Sequence, residues 1–477
     1  MAPIGAAARK WRLRDIAALW IGMSACIPTY MLASGLIEQG MNWREAVLTI
    51  FLGNCIVLVP MVLNAHAGTK YGISFPVYCR AAFGLRGANV PALLRAFVAC
   101  GWFGIQTWIG GAAIHTLLAA VFPTLTATER IGGLGITTSQ LGCFLAFWAL
   151  NMIVVWRGIE SIRILLNIKA PLLILLGLLL LGWAYVEAGG FGPMLTQPSA
   201  FEPGREKAGQ FWKFFVPALT ANVSFWATLS LNIPDFSRYA YSQRDQMLGQ
   251  ALGLPTTMGL YSFIGVAVTS ATIVIYGETI WDPVVLLARF ENKVVLAAAM
   301  SALCLATLAT NIAANVVSPA NDFAHLWPRR ISFRVGGLIT GVLGIAAQPW
   351  RLLENSAVYI DAWLIGYSLL LGAIGGVLIA DYYFVRRTAL DLAGLYRRSG
   401  PYWYAGGFHR SALIAMLAGI APCLPGFLAA AKLVDESAVA PVWKTIYGYA
   451  WFVSFVIAGA TYYVLDRMLK RNSITAR

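Results

Sequence analysis

Trp102 and Gln106 stand four residues apart in a long apolar run, where 102–108 reads Trp-Phe-Gly-Ile-Gln-Thr-Trp. On a helix they share one face. An indole plane beside a carboxamide offers what a flat, amide-bearing ring needs: a surface to stack on and a donor–acceptor pair for its edge. The competing reading of Trp102 is a residue of the interfacial aromatic belt, in a chain with 17 tryptophans. A second polar patch, 306–315, reads Ala-Thr-Leu-Ala-Thr-Asn-Ile-Ala-Ala-Asn and puts Asn311 and Asn315 on one face. Amides deep in an apolar helix are costly unless they pair across helices or meet a ligand. Helix-to-helix pairing suits Asn311 better, and ligand contact suits Asn315 better.

Two further stretches interrupt apolar runs. Residues 22–29 read Gly-Met-Ser-Ala-Cys-Ile-Pro-Thr, and 222–226, Asn-Val-Ser-Phe-Trp, are followed by Asn-Ile-Pro-Asp at 232–235. Gly and Pro break the hydrogen-bond ladder, and the freed carbonyls can hold a cation or a ligand's N–H groups. Breaks at matching places in two halves point to a transporter site, although Gly and Pro are also common in ordinary membrane helices. Lys169 lies in another apolar run, just before Pro171. It either snorkels to the interface or presents an internal ammonium to a cavity.

These residues need a membrane fold to position them. Of 477 residues, 59% are hydrophobic and 12% charged, against roughly 45–50% and about 25% in soluble domains. Apolar stretches near 20 residues recur throughout. The pattern predicts twelve spans, approximately 16–37, 46–65, 91–122, 138–156, 162–185, 211–232, 247–276, 294–317, 335–349, 358–384, 411–431 and 443–466. With the basic N-terminus inside, Lys and Arg divide 23 to 10 between cytoplasmic and external segments. That satisfies the positive-inside rule and places both termini in the cytoplasm. The first apolar run is a full span without a cleavage site, so no cleavable signal peptide is expected. The 68–90 segment is expected to lie along the interface.

The formal charge of +14 alternates by loop and forms no single basic face, which argues against nucleic acid. The cysteines sit mostly in apolar runs and suggest no disulfide framework. No Walker loop, Gly-x-Ser-x-Gly elbow, zinc-ligand spacing or acid pair occurs, so neither an enzyme nor an ATP-driven pump is expected, and no cofactor. Asp361 and Asp381 read as packing and interfacial residues, and His66 and His115 lack ligand-spaced companions.

Four blocks in this order resemble the nucleobase:cation symporter-1 family of hydantoin, allantoin, uracil and cytosine permeases. They are 83–89 (Phe-Gly-Leu-Arg-Gly-Ala-Asn), 102–108, 311–315 with Ser-Pro-Ala at 318–320, and 381–387 (Asp-Tyr-Tyr-Phe-Val-Arg-Arg). The resemblance runs from 19 to about 412. It implies an all-α polytopic fold of twelve transmembrane helices with a LeuT-type five-plus-five inverted repeat. The first repeat is 15–186, the second 208–388, and 389–477 hold two C-terminal helices and a tail of the same single domain.

By the same resemblance Trp102 is the stacking tryptophan, Gln106 its hydrogen-bonding partner, Trp226 a second aromatic wall and Asn315 the amide closing the pocket. A sodium cage is implied from the carbonyls of Gly22, Ala25 and Ala306 with hydroxyls at 309 and 310. Three positions depart from the hydantoin-type pattern: Ala309 leaves Thr310 the only hydroxyl, Cys26 replaces a glutamine, and Phe225 replaces a glycine. The expectation is a plasma-membrane symporter for a small planar nucleobase or cyclic ureide, coupled to H+ or Na+. Proton linkage through Lys169 bridging the first and eighth helices is favoured. A sodium-coupled hydantoin carrier and a passive channel are the rivals.

Overall fold

In the computed structural model the first span breaks where Pro28 requires it. The backbone is described for residues 2–157, 159–327 and 329–475, and side chains for all of these but 159–170, 325 and 469–475. Helix α1 (Leu13–Ser24) stops at Ala25, Cys26 is extended (φ −153°, ψ 159°), and α2 (Ile27–Glu38) restarts at an angle of 58°. Pro28, the second residue of α2, has no N–H to give the carbonyl of Ser24, so the ladder of α1 cannot run on through it. Among the described residues no backbone amide donates to the carbonyls of Gly22, Met23, Ser24 or Ala25.

The chain continues as α3 (Trp43–Tyr71), α4 (Phe75–Phe83), α5 (Asn89–Val121), α6 (Thr138–Arg157) and α7 (Ile159–Glu187). The second break separates α8 (Phe211–Phe225) from α9 (Ala227–Asn232) at Trp226 (φ −101°, ψ 3°). Neither Gly nor Pro stands there. Instead Asn222 Nδ2 donates to the Ala218 carbonyl at 2.8 Å and Ser224 Oγ to that of Thr220 at 2.6 Å. Such back-bonding competes with the ladder. Pro234 lies beyond the break, in the short helix Pro234–Ser237.

Next come α10 (Gln243–Tyr276), α11 (Lys293–Asn315), α12 (Val317–Leu326), α13 (Phe333–Ala346), α14 (Ile365–Ile379), α15 (Arg410–Ile420), α16 (Pro441–Gly448) and α17 (Ala450–Thr475). Turns of π-helix, Val358–Leu364 and Ala380–Val385, flank α14. All twelve expected segments are helical. Among the described residues, seven helices are long and apolar enough to cross a membrane, or nine if two bent pairs count as single spans. The three others are α7, the α8–α9 pair and the short α13. The pair α16–α17 bends by 85° just after Gly448, inside the expected span 443–466. Apolar residues such as Leu179 and Leu260 are exposed on the outer faces, as lipid contact requires.

Packing divides the helices. One group is α5, α6, α11, α12 and α13; the other is α1, α2, α3, α8, α9 and α10. Helix α7 packs against α1, α10 and α11, and so touches both. Within the 68–90 segment α4 is packed against the rest of the protein. Residues 72–79 are buried, and the segment is capped by 402–409, with the amides of Arg86 and Gly87 donating to Gly407 at 2.8 and 3.0 Å. Asp381 anchors the C-terminal helices as a packing residue: it pairs with Arg386 at 2.8 Å and accepts from Tyr462 at 2.6 Å.

Gly249 and Gly253 of α10 lie against α1, where a Cβ at 253 would meet Trp20 Cβ at 2.7 Å and the Ala17 carbonyl at 2.8 Å. Small residues let membrane helices approach this closely. Gly253→Leu is therefore expected to destabilise the protein by about 1–3 kcal/mol. Gly182→Leu, at a position with nothing within 4 Å, should leave the melting midpoint in detergent unchanged.

Candidate functional site

Trp102 sits midway along α5, buried and enclosed by aromatic rings. Phe225 lies 5.3 Å away between centroids, Trp363 5.9 Å, Tyr359 6.2 Å and Tyr367 6.4 Å, all at 66–88° to its plane. Gly101 makes room for Trp363, whose ring would clash with a Cβ there. Phe225 also touches Trp226 at 5.1 Å, and Trp226 packs edge-on to Trp20 of α1 at 5.3 Å. Trp102, Phe225 and Trp226 are thus joined in one aromatic chain in which Phe225 is the middle ring.

The enclosing rings also meet the broken helices. Tyr359 donates to the Pro28 carbonyl at 3.4 Å and Tyr367 to the Ser224 carbonyl at 2.9 Å. Sequence reasoning had passed over Tyr359, Trp363 and Tyr367. Their spacing, four and four, was the available signal, since it places all three on one helix face.

Polar groups at this depth divide into paired and unpaired. Asn311 is paired: its Nδ2 lies 3.2 Å from the Phe103 carbonyl, 3.1 Å from Thr107 Oγ1 and 3.2 Å from Asn151 Oδ1. It ties α11 to α5 and α6. Asn315 Nδ2 donates to Asn311 Oδ1 at 3.1 Å, which orients its own amide. Gln106 is 4% exposed and its Oε1 has no partner; the indole N–H groups of Trp226 and Trp363 are buried without acceptors as well. A buried acceptor and two buried donors left open in one aromatic enclosure suit a ligand whose edge carries both.

Cys26 is buried at the first break, with Sγ 3.2 Å from Thr29 Oγ1. Of the cation-cage candidates, Gly22 and Ala25 have carbonyls with no backbone donor among the described residues, whereas the Ala306 carbonyl accepts from Thr310 Oγ1 at 2.9 Å. Ala309 is buried and brings only a methyl group. Lys169 belongs to α7, which packs against both α1 and α11; its side chain lies outside the described residues. A cavity of 1190 Å³ borders Trp363 and Tyr367 but not Trp102 or Gln106. It lies on the far side of the aromatic wall, opening towards α15.

A helical membrane protein with two broken helices around a buried aromatic enclosure is built as a transporter. A family model described as permease for cytosine/purines, uracil, thiamine, allantoin matches residues 3–454, and the chain belongs to that family, the nucleobase:cation symporter-1 permeases. It is a permease and not an enzyme. A purine-uracil permease of Arabidopsis thaliana is 46% identical, over 97% of this chain and 76% of the relative. An allantoin permease of Bacillus subtilis is 40% identical over 98% and 92%. Among solved structures, inward-facing Mhp1 superposes with TM-score 0.78 at 23% identity, covering 98% of this chain and 93% of that one. The fold is that of Mhp1.

The contrast between the two amides is testable by stability alone. Asn311→Leu strands the amides of Asn151 and Asn315 and is expected to cost about 1–3 kcal/mol. Gln106→Leu removes an oxygen that has no partner, and the melting midpoint should stay level or rise. Equal losses in both variants would show that Gln106 is a packing residue.

Proposed function

We propose that the protein is a secondary active symporter that imports a small planar nucleobase or cyclic ureide, of the uracil or allantoin type, by alternating access. The observation that carries this reading is Trp102 boxed by aromatic rings beside the unpaired oxygen of Gln106. The ring stacks on Trp102, and Gln106 and Asn315 read its amide edge. Trp226 and Phe225 bound the pocket from the second break, and Cys26 from the first. Relatives named for purine and uracil and for allantoin agree with a flat heterocycle, as does Mhp1 solved with bromovinylhydantoin bound. Twelve spans, two inverted five-helix repeats (15–186 and 208–388), cytoplasmic termini and a plasma-membrane location complete the proposal.

The coupling ion in this reading is the proton. The expected sodium cage has lost one hydroxyl at Ala309, and the other, on Thr310, is turned back to the Ala306 carbonyl. Lys169, on the helix that touches both α1 and α11, supplies a charge that can bind and release a proton as the site opens to either side. The carbonyls of Gly22 and Ala25, with no backbone donor among the described residues, favour the second reading, a sodium-coupled hydantoin-like carrier.

Uptake of radiolabelled uracil and allantoin, in cells lacking their own permeases, tests both. Trp102→Ala should lose about 1–3 kcal/mol of binding, the scale of base–aromatic stacking, and Trp102→Phe should retain part of it. Unchanged affinity in Trp102→Ala at normal surface expression would sink the stacking role. Replacing sodium by choline should leave uptake intact, while a protonophore or Lys169→Met should abolish accumulation. Strong sodium dependence would select the second reading.

A further inference from the structure

The face of α5 that carries Trp102 and Gln106 continues through Ala99 to Arg95, seven residues before Trp102. Arg95 is 1% exposed. A guanidinium this deep in an apolar helix must be paired or functional. Its Nη1 donates to Ser318 Oγ and lies 3.4 Å from Asp322 Oδ2. Its Nη2 donates to the amide oxygen of Asn232 at 3.0 Å, and Ser318 Oγ donates to the same oxygen at 3.1 Å. The amide is oriented this way because a guanidinium has only donors to offer, and the reversed amide nitrogen then gives its hydrogen to the Thr228 carbonyl at 2.8 Å.

These partners fall on two sides of the packing division. Arg95, Ser318 and Asp322 belong to α5 and α12, which pack against each other. Asn232 ends α9, which packs against α3 and α14. The bonds to Asn232 therefore cross between the two helix groups, whereas the ion pair stays within one.

We propose that Arg95, Ser318 and Asn232 form the inner latch of the transporter, closing the path between Trp102 and the cytoplasm, with Asp322 as the counter-ion that keeps Arg95 compensated when the latch opens. The proposal rests on the alternating-access reading above. Opening breaks two hydrogen bonds to a single neutral amide oxygen and parts Arg95 from the buried Asp235, three residues beyond Asn232, while Asp322 travels with Arg95 and keeps its charge paired. Neutrality at 232 is what keeps the contact reversible: a carboxylate there would form a charge-assisted pair across the division and hold it shut. Arg95 and Asn232 are positioning residues in this scheme; neither touches the bound ring.

The test uses Ala99→Cys, which places a thiol on the same face between Arg95 and Trp102, in the full-length protein. Inside-out vesicles are treated with a membrane-impermeant maleimide, and the modified peptide is followed by mass spectrometry, normalised to monodisperse protein. Adding Asn232→Ala should raise the labelling rate roughly two- to tenfold, the shift that losing about one hydrogen bond makes in a two-state equilibrium. Asn232→Ser should fall between that variant and its parent. Asn232→Asp should lower labelling and the maximal uptake rate, leaving substrate affinity unchanged. Opposite shifts from Ala and Asp are a signature that a merely structural residue does not give. Labelling that is unchanged, or that moves in any other pattern, overturns the latch. Should the parent take up no heterocycle at all, the transport reading fails instead, and the labelling comparison still decides the latch.

Discussion

Backbone carbonyls left open at membrane depth have no water to turn to, and this constraint organises the centre of the molecule. The chain breaks twice, at Ala25–Cys26 and at Trp226. At the second break Tyr367 meets the Ser224 carbonyl near the end of α8, and at the first Tyr359 adds a donor to the Pro28 carbonyl in the opening turn of α2. Those same two rings stand edge-on to Trp102. The phenols that reach the two broken helices are therefore also walls of the aromatic enclosure. Among the described residues the carbonyls of Gly22 to Ala25 have no backbone amide donor.

Around this centre the polar residues serve two different ends. Asn311, Asn151 and Thr107 satisfy one another and lock α5, α6 and α11 together. Gln106, Trp226 and Trp363 keep buried groups unpaired, a standing penalty that packing alone does not explain.

Much of this was legible in the residues. Pro28 marks the first break because its chemistry is local: a missing N–H. Trp102 and Gln106 are readable as a pair because helical spacing alone puts them on one face. Asn311 was read as a packing residue and is one. The second break was placed among the right residues but for an incomplete reason, since it depends on Asn222 and Ser224 turning back on their own helix and not on Gly or Pro. The Tyr359, Trp363 and Tyr367 column went unread because its meaning lies in contacts with α2, α5 and α8, more than a hundred residues away in sequence. Arg95 falls inside the expected span 91–122, but its partners on α9 and α12 come together only in the fold. The burial of α4 likewise depends on residues 402–409, which no local pattern connects to it.

The central claim is that Trp102 and Gln106 together recognise a flat, amide-bearing ring. A structure of the protein with uracil or allantoin bound tests it most directly. The account predicts the ring parallel to the Trp102 indole at about 3.5–4 Å, with its polar edge hydrogen-bonded to the Gln106 amide. A ring bound elsewhere, or lying against Trp102 with Gln106 still unpaired, would contradict it.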